Sequence, residues 1–578
     1  MLPQYRLVAT SFILSIIFLI CLITFKYFFP KRKINLFYLL ILISILPIVS
    51  IFRLGTYESG DLSLHTQRLM SFYNLLTNYH LIPRWTPEFN AGYGDPHFLF
   101  AYFLPYFIGS ILHIIGFSFL ISMKLLLAFS FVFSGITMFF WVKDELGEKS
   151  GFVAAIFYLF MPYHFIDMHF RVTVAENLSF VFLPFILLAI KKIIENYSKK
   201  WLIALSLGFG LLILSHQAIS VMFLPVMIAY SLFIWIRKTK KRIKNLIFCF
   251  SSMVLGLLLT SFYWMPIVFL AKFTQQGSTQ VHFLFPNFTE LLYSPWRYGF
   301  LFQGHEGEMS VLIGYTQLLI ISISIYLLLK NTLSKSLKRL LIFFLTISII
   351  IFIMMTPITE RLWENVLLLK YSQFPTRILV ILSLCISIIA GIVVKKINKE
   401  WFFVILCFVT IFYTLLNWGN RRVIPIADDN YLRQAFILNP DVSSLEPTSP
   451  IWADLEKSKL RIKPKSNIEI LKGHAEINEI SRTPISHIYK IIAKSNVEIK
   501  ENTLFFPGWI VTANNRQISI NYKNPKFPGI MTFNLDEGIH DVNVKFTDLP
   551  VIIFSKWLSG ISVFGLLIFT FASKKSSS

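Results

Sequence analysis

Long apolar runs alternate with short polar loops through most of this chain. Runs long enough for a hydrocarbon core of roughly 30 Å lie at about 8–29, 35–54, 119–142, 151–166, 177–190, 201–215, 218–236, 246–271, 309–329, 340–356, 375–394, 401–417 and 550–573. The pattern predicts a mainly α, polytopic membrane helical bundle of about 13 spans. A further run at 98–117 holds Pro105, Gly109 and His113 and is read as one non-spanning outer helix, allowed where protein buries its backbone. From 418 to 549 the period changes. Alternating stretches at 517–522, 530–535 and 540–546, with turns at Pro507-Gly508 and Glu537-Gly538, predict a β-rich module. The stretch 425–465 is polar, contains proline and is read as irregular. The expected organisation is a membrane domain over 1–417 with an acidic first outer loop at 57–97, a C-terminal extracytoplasmic β-rich domain over 418–549, and a final transmembrane helix with a short cytoplasmic tail over 550–578.

Composition narrows the class: 55% hydrophobic and 15% charged residues do not fold as ordinary soluble domains. The formal net charge of +23 raises the question of nucleic acid. The basic residues, however, gather in loops between spans: Lys31, Arg32 and Lys33; Lys191, Lys192, Lys199 and Lys200; the run 237–244; the run 330–339; Lys395, Lys396 and Lys399; Lys574 and Lys575. That is the distribution of the positive-inside rule, so membrane topology accounts for the charge and no nucleic-acid partner is implied. With all clusters cytoplasmic, the N-terminus lies outside and the C-terminus inside. The first run is too apolar and too long for a signal h-region and lacks a small-x-small site, so it is read as a retained span. Cys21, Cys249, Cys385 and Cys407 fall within apolar runs, which argues against a disulfide framework or a thiolate metal site.

This topology puts 57–97, 167–177 and 357–374 on the outer face, with a long aromatic loop at 272–308 that carries His282, Trp296, Arg297, His305, Glu306 and Glu308. Acids, arginines and aromatics converging on one membrane face suit an anionic, lipid-borne substrate. Each candidate also has a plain structural role. Asp61 after Gly60 is a natural N-cap for a helix over 62–78, and Asp95 between Gly94 and Pro96 is a natural turn residue. His65 and Arg68 share a helical face with Asp61 and suit an ion pair as well as a substrate contact. Arg84, Trp85 and Pro87 suit an interfacial anchor, and Trp85 also offers a ring for stacking on a sugar. Arg171 and Glu176 lie at a span boundary, where a mutual salt bridge and a substrate role are both open. Arg377 can snorkel, and His216 with Gln217 can join two helices.

The residues Asp61-x3-His65-x2-Arg68, Pro83-Arg84-Trp85-x-Pro87, Gly92-Tyr93-Gly94-x-Pro96, Pro162-Tyr163 with Arg171 and Glu176, Ser215-His216, Gln373-Phe374-Pro375-x-Arg377 and Phe506-Pro507-Gly508-Trp509 resemble the bacterial membrane proteins of the 6-pyruvoyl-tetrahydropterin synthase related family. Those proteins are similar in organisation to GT-C glycosyltransferases. The resemblance implies a multi-pass enzyme of the bacterial cytoplasmic (inner) membrane that moves a sugar from a polyprenyl-phosphate donor to an envelope glycan or other acceptor. It implies Asp61, with Asp95 as a second carboxylate, as catalytic base. Arg171 or Arg377 would hold the leaving phosphate, with His65, Arg68, Trp85, Glu176 and His216 lining the substrate site. No Asp-x-Asp pair occurs in the first outer loop, so no divalent metal is indicated, and no cofactor beyond the lipid-linked sugar is expected. The departure is that two spans, not one, precede the acidic loop. The competing expectations are a non-catalytic transporter or flippase of a lipid-linked sugar, and an envelope-assembly scaffold.

Overall fold

Inside hydrocarbon the backbone N–H and C=O groups have no water to bond, so apolar runs satisfy them within helices. A computed structural model describes residues 5–79, 81–237, 242–278, 285–293, 311–366, 369, 372, 374–419, 423–438, 446–458 and 460–572. The protein is mainly helical with a C-terminal β region. Among the described residues seven helices are long and apolar enough to cross a membrane: Ala9–Phe28, Phe119–Leu146, Val174–Glu195, Gln217–Arg237, Lys335–Met354, Pro375–Ile397 and Pro550–Thr570. Two broken pairs, Glu148–Leu159 with Pro162–Phe170 and Ile243–Leu259 with Ser261–Phe273, raise the number to nine if each is one span. The run at 98–117 forms the helix Phe103–Ile114 of 12 residues, about 18 Å at 1.5 Å per residue and short of a crossing.

Two compact units divide the chain. The first comprises Met1–Thr66, Ile111–Leu257 and His282–Asp429; the second comprises Gln67–Ser110, Leu258–Val281 and Asn430–Ser578. This partition does not follow the linear division at 418, because parts of the acidic loop and of one broken helix pair group with the β region.

In the first unit Phe119–Leu146 packs on Glu148–Leu159 and Val174–Glu195, and Leu379–Ile397 packs on Glu148–Leu159. Close approach follows from small residues: a Cβ on Gly151 would lie 2.8 Å from the Phe139 carbonyl oxygen. Every residue from Leu379 to Val394 is buried, as expected of a helix apolar all round. The first loop is tied at its start. Thr56 and Tyr57 pair antiparallel with Ile424 and Val423, and the buried Lys124 ammonium donates to the Arg53 and Gly55 carbonyls, each at 2.6 Å. The stretch read as irregular contains a helix, Asp429–Leu438. Its Asp429 carboxylate accepts from the Phe119 and Leu120 N–H groups at 2.7 and 3.0 Å, supplying acceptors to another helix's orphan donors.

In the second unit Ser261–Leu270 packs on Pro550–Ala572, where Ser559 Oγ meets Ser261 Oγ at 2.8 Å and accepts from the Phe262 N–H at 2.9 Å. The β region forms two antiparallel sheets. One has the order Ala475–Thr483, Ser486–Ala493, Gly538–Phe546, Trp509–Ala513, Arg516–Ile518; the other has the order Ile468–Lys472, Val497–Leu504, Ile530–Leu535. In Ser486–Ala493 the residues His487, Tyr489, Ile491 and Ala493 turn inward while those between face out, the period of a half-buried strand. Of the three strands expected, 530–535 coincides with Ile530–Leu535, 540–546 lies within Gly538–Phe546, and 517–522 is a strand only where it overlaps Arg516–Ile518, with Asn521 bridging separately to Thr532.

Candidate functional site

The connection after Pro162–Phe165 is short and polar, and the chain negotiates it with a turn of π-helix over Ile166–Phe170. The Arg171 N–H closes this turn on the Ile166 carbonyl at 2.8 Å. Val172 then takes φ +57°, a left-handed conformation that is unfavourable for a β-branched residue and is found where surrounding structure enforces it. The helix Val174–Glu195 starts immediately afterwards. As a result Tyr163, Asp167, Arg171 and Glu176 share one face of the bend.

Glu176 is the centre of this cluster and is fully buried. Its carboxylate accepts from the Tyr163 hydroxyl at 2.8 Å, from Arg377 Nε at 2.7 Å and from Arg171 Nη2 at 3.3 Å. Arg171 also donates to Asp167 Oδ1 and to the Tyr163 oxygen, both at 3.0 Å, and Arg377 Nη1 donates to the Ser372 carbonyl at 2.8 Å. His216 Nε2 lies 3.8 Å from Glu176 Oε1. Two guanidinium groups and two carboxylates therefore sit together, formally neutral, with the Arg171 side chain still 16% exposed. Guanidinium forks in general suit phosphate oxygens; here both engage partners inside the cluster.

Asp61 is brought to the same place by main-chain atoms. The Gly60 N–H donates to the Phe170 carbonyl at 2.6 Å, and the Asp61 N–H to the Arg171 carbonyl at 2.9 Å. A Cβ on Gly60 would meet the Arg171 carbonyl oxygen at 3.0 Å, which explains a glycine at this crossing. Leu62–Asn78 begins directly after Asp61, whose own carbonyl accepts from the His65 N–H at 2.8 Å, so Asp61 occupies the N-cap position. Its side chain is half-buried and Gly60 is exposed.

Asp95 has a different setting, within the second unit. Thr448 Oγ donates to its Oδ1 at 2.6 Å; Ser449 Oγ and Asn90 Nδ2 donate to its Oδ2 at 2.8 and 3.3 Å. Its backbone pairs both ways with Thr86, at 2.8 and 3.0 Å. The loop needs positive φ at Asn90, Ala91, Gly92 and Gly94, and a Cβ on Gly94 would lie 2.6 Å from the Trp85 ring. Burial raises the Asp95 carboxyl to about 7, against the pull of the three donors. With no exposed surface, Asp95 joins the 85–97 loop to Thr448 and Ser449 and fits the turn role better than that of a base. Trp85 is also buried, edge-on to Trp509 at 5.2 Å and 5.4 Å from the Phe546 ring. Its ring offers no free face for a sugar. Arg68 lies in the second unit, where Nη2 donates to Glu446 Oε2 at 3.0 Å, whereas His65 is buried in the first.

The structure therefore brings together Asp61, Arg171, Glu176, His216 and Arg377, and it separates Asp95, Trp85 and Arg68 into another unit. Asp167 is a cluster member outside the candidates named from sequence, and Tyr163 is named there only among the residues that carry the family resemblance. The i,i+4 spacing of Asp167 and Arg171 was the available signal. Most of the aromatic 272–308 loop, including His282, Trp296, Arg297, His305, Glu306 and Glu308, lies outside the described residues, as does Gln373.

A sequence profile described as the 6-pyruvoyl-tetrahydropterin synthase related domain, a membrane protein, matches residues 100–421, more than half of the chain. The chain belongs to this family. Among the described residues no three His, Cys, Asp or Glu side chains are grouped to hold a metal. An uncharacterised protein from Lactococcus lactis subsp. cremoris (strain MG1363) is 24% identical to this family member over 247 residues, which is 42% of this chain and 40% of that protein. The chain thus matches about two fifths of that relative's length. Among solved structures, the arabinofuranosyltransferase AftD from mycobacteria aligns with 66% of this chain and 26% of its own at 14% identity and a TM-score of 0.41. The archaeal oligosaccharyltransferase AglB from Archaeoglobus fulgidus, in complex with an inhibitory peptide and a dolichol-phosphate, aligns with 67% of this chain and 56% of its own at 12% identity and a TM-score of 0.38.

Proposed function

We propose that this membrane protein is a glycosyltransferase of the GT-C type, which moves a sugar from a polyprenyl-phosphate donor to a cell-envelope acceptor on the outer side of the bacterial cytoplasmic membrane. One observation carries the reading. The main-chain pairing of Gly60-Asp61 with Phe170-Arg171 holds the backbone of Asp61 against that of Arg171, whose side chain belongs to a cluster with two guanidinium groups.

The chemistry needs those two elements. An acceptor hydroxyl gives its proton to Asp61 as its oxygen bonds to the anomeric carbon, and the bond from that carbon to the phosphate oxygen breaks. The electron pair leaves on the polyprenyl phosphate, whose growing negative charge Arg171 and Arg377 offset. Glu176 holds the two cations at a fixed separation and is a positioning residue. Asp95 has no part in this scheme, and no divalent ion is invoked.

The test is transfer by purified protein from the lipid-linked sugar that accumulates in cells lacking the gene. Asp61→Asn should abolish covalent transfer, by about 10²–10⁴ for loss of a general base, with expression intact. Full activity in that variant would exclude Asp61 as base. Movement of the lipid-linked sugar across vesicles without any covalent product would replace the transferase with a transporter.

A further inference from the structure

We propose that the second unit contains a separate binding site for an anionic phosphate group, membrane-lipid headgroup or free phosphate, between Arg84 and Lys556. This inference does not depend on the transferase reading.

The Arg84 guanidinium is 6% exposed and pairs with Asp548, and Lys556 Nζ donates to the other oxygen of the same carboxylate at 2.7 Å. Two cations thus share one anion, leaving one positive charge. Among the described residues Arg84 Nε is buried without a hydrogen-bond partner, although buried donors are nearly always satisfied. Both cations line a shallow recess that opens to the surface and whose walls include Phe98, Phe103, Phe262 and Ile552. Its enclosed part has room for about one water-sized group, so a phosphate would sit at the mouth. The Arg84 guanidinium lies 5.7 Å from the centre of the Phe546 ring, which fixes its position. A phosphate there would supply the negative charge that Asp548 alone leaves unbalanced.

The surroundings suit a lipid. Lys556 stands in the second turn of Pro550–Ala572, which exposes Ile553, Phe554 and Trp557, and Val268 and Phe269 are exposed on Ser261–Leu270. Tryptophan and lysine near the end of an apolar helix are usual at headgroup level.

The experiment uses the full-length protein in phosphatidylcholine nanodiscs doped with phosphatidylglycerol, with bound lipid read by native mass spectrometry. Phosphatidylglycerol should be retained above its bulk fraction, about tenfold more weakly in Lys556→Gln and more strongly in Asp548→Asn, since one charge-assisted bond is worth about a factor of ten. A rise in Tm with inorganic phosphate, absent in Lys556→Gln and without lipid enrichment, would assign the site to free phosphate. If neither probe distinguishes the wild type from folded Lys556→Gln and Asp548→Asn, the site does not exist.

Discussion

Replacing Glu176 by glutamine keeps the side chain's shape and removes the charge that the two arginines share. Breaking a buried pair by deleting one partner costs about 3–5 kcal/mol, because the other charge is left uncompensated. Arg171 keeps Asp167 at 3.0 Å and Arg377 keeps the Ser372 carbonyl at 2.8 Å, so the loss belongs at the low end, about 3 kcal/mol. The sharper quantity is coupling. Arg377→Met alone leaves Glu176 without its shortest contact, the 2.7 Å bond to Nε, whereas the double variant Glu176→Gln with Arg377→Met leaves no unpaired partner between them. The double variant should be more stable than the sum of the singles predicts, by about 1–3 kcal/mol for residues in direct contact. Unfolding in detergent, followed by the helical signal, gives all four corners of the cycle. Additivity within about 0.5 kcal/mol would refute a Glu176-centred cluster.

For Asp95, the folded-state value near 7 against 3.8 means that its protonation stabilises the fold fully below about pH 4 and that this contribution is lost as pH rises through about 7. Tm of the wild type should therefore fall relative to that of Asp95→Asn between pH 4 and 8, and parallel curves would contradict this. Gly94→Ala combines a φ of +84° with a Cβ 2.6 Å from the Trp85 ring, and should cost about 2–4 kcal/mol from left-handed strain and overpacking together; an unchanged Tm would show that the ring yields. A cysteine at exposed Leu81, in a Cys21→Ser background, should react with an impermeant thiol reagent from outside the cell, and labelling only in inverted vesicles would reverse the topology. Chelators should leave sugar transfer unchanged, while loss of activity restored by a divalent ion would reveal a metal requirement.

Much of the fold was legible because its signals are local. Apolar length marked the helices, and the shift to period two marked the β region, with Ile530–Leu535 matching at both ends. Breaks inside runs were harder to see: the run at 246–271 divides at Thr260 into Ile243–Leu259 and Ser261–Leu270, yet its proline, Pro266, lies inside the second helix. Asp429–Leu438 was missed because it lies in polar sequence beside a stretch rich in turn residues. At the site, Arg171, Glu176, His216 and Arg377 could each be named from their position at span ends. Their convergence on one carboxylate could not, since Glu176 and Arg377 are 201 positions apart. Asp95 misled for the same reason: its partners Thr448 and Ser449 are ordinary hydroxyl residues some 350 positions away, and only tertiary contact shows that the carboxylate is enclosed.

The anchors that hold Asp61 next to residue 171 are peptide groups, and peptide groups survive side-chain replacement. Truncating Arg171 would withdraw a cation and leave the neighbouring strand of chain where it was. Comparing Arg171→Lys, Arg171→Gln and Arg171→Ala would then separate the charge and fork of residue 171 from the placement of the Asp61 backbone, with the buried Asp167 and Glu176 carboxylates losing a charged partner in the last two.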